Sequence, residues 1–165
     1  VDGVEVVARE ELVVEGNADV NCAVGDGEWR TFELRYKPGS PVRAAGFAGL
    51  HTPRLDLLLS SLPQAHPDWR QPTWFVRLLG MLLEGDSLLR PLFAPHNMGT
   101  PACVRVRKMA YTLSGYPHSD VPIVLGMEKG TYNQTESDLE AEIWWYRTAI
   151  GTYAPEQSAA DLECS

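Results

Sequence analysis

No run of about 18 or more apolar residues occurs in the 165-residue chain, so no membrane-spanning helix is expected within it. Cysteine is scarce. The three present, Cys22, Cys103 and Cys164, form no CxxC pair and are too few for a disulfide-dense small domain. An odd count leaves three free thiols, or one bridge and one thiol over. Cys164 falls in a C-terminal stretch expected to be mobile, which makes Cys22–Cys103 the better candidate pair. Basic residues are outnumbered: 14 Lys and Arg against 22 Asp and Glu give a net charge of −8, which argues against a nucleic-acid partner.

Reactive motifs are missing as well. There is no G-x-S-x-G run for a serine nucleophile, no HExxH and no P-loop. Gly25 and Gly27 are followed by Glu28, Trp29 and Arg30, so a dinucleotide fingerprint fails. His51, His66, His96 and His118 stand singly, and lone histidines are more often structural than metal ligands. The chain therefore reads as a non-enzyme with no cofactor, no metal site and no catalytic residue. It begins at Val1 rather than Met, carries no visible signal peptide, and is expected to be a piece of something longer.

What is present suits one folded domain over residues 1–165, with residues 155–165 as a mobile tail. Hydrophobic residues make up 44%, enough for a sizeable core. Charge is segregated. Residues 1–28 carry eight acids and one base, residues 29–114 eleven bases and five acids, and residues 115–165 nine acids and two bases. Either the acidic ends fold back on the cationic middle, or that middle is a contact face for an acidic partner.

Periodicity outlines the elements. Residues 4–15 are Val-rich with charges interleaved and read as one strand, or two short ones, with an exposed face. In residues 29–37, Phe32, Leu34 and Tyr36 point one way and Glu33, Arg35 and Lys37 the other, a half-buried strand. A helix over 52–62 has Thr52 as N-cap, Pro53 at its first position and Leu55, Leu58, Leu59 and Leu62 on one face, with Pro63 to stop it. A second helix, 72–84, is broken only by Arg77, Gly80 and Glu84, so protein should nearly encircle it, and Gly85 caps it. A short helix over 86–93 and strands at 102–113 and 121–125 follow. Residues 126–141 fit a loop or a helix. Ile143, Trp144, Trp145 and Tyr146 carry too much aromatic area to stay wet. Strands, then helices, then strands indicate α+β: a mainly antiparallel sheet or sandwich-like domain with a helical insertion at about 52–93.

Two polar groups stand out. His51, Arg54 and Asp56 cluster where the first helix begins. There an acid meets the positive end of the helix dipole, and a structural role is expected ahead of binding or catalysis. Arg105 and Arg107 share one face of a strand, opposite Val104 and Val106, as on a solvated sheet face.

Several segments resemble those of the lipase maturation factors. They are residues 7–16 (VAREELVVEG), 29–39 (WRTFELRYKPG), 51–56 (HTPRLD), the Trp74-Phe75 helix with its leucines up to Gly85, the arginine strand 105–112, and the closing WWYR and YAP runs at 144–147 and 153–155. These blocks follow the family's order along nearly the whole chain. Departures are Leu57, Leu58 and Leu59 where the family favours tryptophan, an altered loop over 94–101, and extra length over 115–143. The resemblance implies the lumenal C-terminal part of a multi-spanning membrane protein of the endoplasmic reticulum. Such a protein engages client lipases of the lipoprotein, hepatic and endothelial class and helps them become active. The implied partners are those clients and the protein's own transmembrane region. The alternative is a structural subunit docked permanently in a larger membrane-associated assembly. Candidate contact or structural residues are His51, Arg54, Asp56, Trp74, Phe75, Arg105, Arg107, Trp144 and Trp145. Asn133 begins a glycosylation sequon.

Overall fold

A computed structural model describes residues 9–19, 22, 29–37, 39–41, 54–94, 99–113 and 145–163. Four antiparallel strands form one sheet in the order β2-β1-β3-β4, made by β1 (Arg9–Asn17), β2 (Arg30–Phe32), β3 (Cys103–Leu113) and β4 (Trp145–Ser158). Between β2 and β3 the chain leaves for α1 (Arg54–Ala65), α2 (Thr73–Glu84) and a 3-10 helix (Ser87–Leu92). After β4 comes the short α3 (Ala159–Glu163). The fold is thus α+β with a helical insertion, as the order of periodicities indicated. None of these helices is long and apolar enough to cross a membrane.

Alternation on the strands builds the core. Leu12 and Val14 of β1 and Val104 and Val106 of β3 pack with Phe32, Leu59, Leu62, Phe75, Leu79 and Leu82 in one buried cluster. The intervening Val13 joins Met109 and Tyr111 in a second cluster, as period-two geometry requires of residues on the opposite face. Every β1 residue from Glu11 to Asn17 is buried. A fully buried side chain such as Leu79 contributes about 1.5–3 kcal/mol through apolar burial.

The insertion is stitched to the sheet at its exit. Leu34 forms an isolated antiparallel bridge with Phe93, and the Ala94 N–H donates to the Glu33 carbonyl at 2.7 Å. Phe32 and Phe93 stack at 5.5 Å between ring centroids. At the end of α2, Gly85 adopts φ +69°, its N–H donates to Leu82 and that of Asp86 to Met81, a left-handed cap.

Four sequence expectations are corrected. The strand expected over 29–37 stops as a ladder at Phe32, and the chain bends at 35–37. Parity is lost there, so Lys37 is buried while Tyr36 is 40% exposed, the reverse of simple alternation. Charges in β1 were expected outside, yet Glu11 and Glu15 are buried because cations reach them from neighbouring segments. Pro63 does not end α1, which runs on to Ala65. Its ring removes one donor near the helix end, and the Leu62 carbonyl still receives the His66 N–H at 2.8 Å. The chain beyond Pro155, expected as a mobile tail, continues β4 to Ser158 and then forms α3. Buried Gln157 and the Leu162 side chain, packed on the main cluster, hold it. The expected strand at 121–125 and residues 126–141 lie outside the described residues.

Candidate functional site

The start of α1 meets β1 and the bend after β2 in a closed polar cluster. The Lys37 ammonium lies 2.6 Å from Glu11 Oε2 and donates to the Leu12 carbonyl at 3.0 Å. Ser60, one turn after Asp56, places its hydroxyl 2.9 Å from Glu11 Oε2 and 3.0 Å from the Asp56 carbonyl. Arg9 reaches the other oxygen of Glu11 from the surface. The Glu11 side chain is wholly buried and that of Lys37 nearly so. Asp56 is buried in the first turn of α1, within the field of Lys37. Its carboxyl takes support from the Tyr36 amide and its own, while Oδ1 has no hydrogen-bond partner.

Electrostatics follow from that enclosure. Burial pushes the Lys37 ammonium below the usual lysine range, against the opposing pull of Glu11. It likewise raises the Asp56 carboxyl above the usual range, against the field of Lys37. Glu11 thus pairs directly with the buried ammonium, while Asp56 lies within its field. The arrangement clamps α1 and the bend onto β1. Tyr111 adds to the clamp by donating to the Gly39 carbonyl at 3.1 Å, and burial raises its phenol.

A second cluster lies further along β1 and β3. Arg105 donates to Glu15 across the ladder at 2.7 Å, approaches Glu156 of β4 at 3.8 Å, and lies over the Trp29 ring at 4.3 Å. Its side chain is only 11% exposed, so this is a neutralised, stacked cation and not a solvated sheet face. Cys103, two residues before it on β3, is joined to Cys22 by a disulfide, the pair expected as the better candidate. Arg107 is half-buried.

The remaining candidates go elsewhere. Phe75 is fully buried against Tyr153, 5.7 Å between centroids, and Trp74 packs beside it partly buried. Both belong to the core. Arg54 opens α1 and Trp145 opens β4. His51, Trp144 and Asn133 lie outside the described residues, as do Thr52 and Pro53. Among the described residues, Asp56, Phe75 and Arg105 therefore occupy separate environments. Sequence reasoning missed Glu11, Lys37, Ser60, Glu15, Glu156 and Trp29. A signal for two of them existed: Glu11 and Glu15 fall on one face of a Val-rich strand, where a carboxylate needs a cation partner if that face is covered.

Among the described residues no group of three or more His, Cys, Asp or Glu could hold a metal ion. The two polar clusters tie segments together by internally paired charges, as in a scaffold domain whose sheet carries a clamped helical layer. The lipase maturation factor C-terminal domain family matches residues 3–155, so the chain belongs to this family. It is 28% identical to lipase maturation factor 1 of Mus musculus over 158 residues, covering 94% of this chain and 24% of that protein. The Bos taurus protein of the same name is 27% identical over 157 residues, covering 93% and 24%, and the Homo sapiens protein is 28% identical over 158 residues with the same shares. The chain thus spans about a quarter of the length of the curated relatives it matches. No solved structure matches it.

Proposed function

We propose that this chain serves lipase maturation as a non-catalytic domain that binds client lipases on the lumenal side of the endoplasmic reticulum membrane and helps them reach the active state. The observation that carries this reading is the family match over residues 3–155. The internal pairing of Glu11, Lys37 and Arg105 fits it, because among the described residues these charges tie segments of the fold to one another. The longer protein's own transmembrane region would hold the domain at the membrane.

The test is recovery of secreted lipase activity. Cells that make a lipase but lack a maturation factor would receive the full-length protein with this domain, or the same protein with the domain deleted. Recovery only with the domain, together with transient co-purification of unfinished lipase, supports the reading. Equal recovery without the domain overturns it. A complex of fixed stoichiometry that contains no lipase would assign the domain instead to a permanent structural assembly. The domain alone should hydrolyse no short-chain ester; turnover abolished by changing one serine would contradict the non-catalytic part.

A further inference from the structure

The polar cluster at the start of α1 treats its two acids unequally. Glu11 takes the Lys37 ammonium, the Ser60 hydroxyl and Arg9. Lys37 has three N–H donors, and two of them go to Glu11 Oε2 and the Leu12 carbonyl. Asp56 is as deeply buried, yet it keeps only the Tyr36 amide and its own, and Oδ1 has no hydrogen-bond partner.

Three described segments face this carboxyl. β1 brings Glu11, with Arg9 on its other oxygen. The bend after β2 brings Lys37 and the Tyr36 amide. α1 brings the Asp56 amide and Ser60, whose hydroxyl bridges Glu11 and the Asp56 carbonyl. Burial opposes a charge on Asp56 most, Lys37 favours it, and Glu11 opposes it again. A charged Asp56 can be relieved in two ways. It can take up a proton while α1 stays docked, or the first turn of α1 can lift into water.

We propose that Asp56 is a proton-operated latch: with its carboxyl protonated the first turn of α1 is held on β1 and the bend, and with its carboxyl ionised that turn opens more readily into solvent. The device uses the chain's own groups and does not rest on the client-binding reading. Opening uncovers apolar surface, because Leu55 packs against the main core cluster and Leu59, one turn after it, is fully buried. α2 has no such latch. Its charged residues, Arg77 and Glu84, are exposed, and its buried face is wholly apolar.

The sign follows from linkage. The docked carboxyl holds its proton more tightly than the open one, so docking strengthens as pH falls from the raised folded value toward about 3.9. Within that window opening becomes up to about tenfold rarer for each unit of acidification, and outside it the latch is level.

Amide hydrogen exchange on the full chain, from about pH 4 to about pH 7 and corrected for the chemical rate at each pH, tests this. Protection of Leu58–Leu62 should rise as pH falls through the window, while that of Leu78–Leu83 in α2 stays level. Asp56→Asn should keep Leu58–Leu62 protected with no slope. A wild-type profile without slope overturns the proposal, and so does an equal slope in α2. A slope that survives in Asp56→Asn also overturns it, since another group, such as His66 where α1 ends, then carries the titration. Carbon NMR of the wild-type Asp56 carboxyl needs no variant. It should titrate above about 3.9, and titration at or below that value overturns the latch.

Discussion

Lys37 and Glu11 form an ion pair of 2.6 Å between two side chains closed off from solvent, one on the bend after β2 and one on β1. A charge removed from such a pair strands the other in a low-dielectric site. Glu11→Gln or Lys37→Met should each cost about 3–5 kcal/mol of stability. The double variant should recover part of that loss, because neither residual charge is then buried alone. Urea unfolding of the three variants beside wild type measures the coupling directly. Additive losses would mean that the pair does not hold α1 and the bend to the sheet.

The Cys22–Cys103 bridge closes a sequence separation of 81 residues. Linking positions so far apart restricts the unfolded chain strongly, so replacing both cysteines by serine should cost about 4 kcal/mol. Cys103 is fully buried, which adds a packing loss to the entropic one. Titration of the oxidised chain should find a single free thiol, and reduction should expose two more. A count of three before reduction would refute the pairing.

Gly85 holds φ +69° at the end of α2, a region that L side chains enter at a cost. A Cβ built there collides with the Thr100 side chain. Gly85→Ala should lower stability by about 2 kcal/mol from the backbone cost, with a further loss from the collision. Pairing it with Thr100→Ala should restore only the collision part. A wild-type melting temperature for Gly85→Ala alone would show that the cap is not held as described.

Much of this architecture was legible in the residues. The α2 leucines recur at helical spacing and Gly85 follows at once, so the helix and its cap were readable locally. Val104 and Val106 against Arg105 gave the faces of β3. Legibility failed where a long-range partner decides. Nothing near Lys37 reveals that Glu11, 26 positions earlier, waits for its ammonium, so alternation put it outside. Arg105 read as solvated because Glu15, Glu156 and Trp29 come from three other segments. The residues after Pro155 read as a tail because nothing in their composition reports that β3 pairs with them.

Asp56 decides whether the start of α1 is scaffold or binding site. Its carboxyl is buried, Oδ1 lacks a hydrogen bond, and burial raises it above the usual carboxylate range. A carboxyl raised on folding binds its proton more tightly in the native state than in the unfolded chain. Its contribution to stability is complete below the unfolded value, about 3.9, and is lost as pH rises through the higher folded value. Asp56→Asn keeps the shape, removes the charge and supplies a donor. The variant should therefore melt no lower than wild type near neutral pH, and its stability should change less with pH across that window. Asp56→Ala loses the support given by the Tyr36 amide as well and should melt lower at every pH. If Asp56 is scaffold, binding of client lipase should follow these melting temperatures, intact in the asparagine variant and reduced in the alanine one. An asparagine variant that melts like wild type yet binds no lipase would instead place the Asp56 carboxylate in the contact with the client.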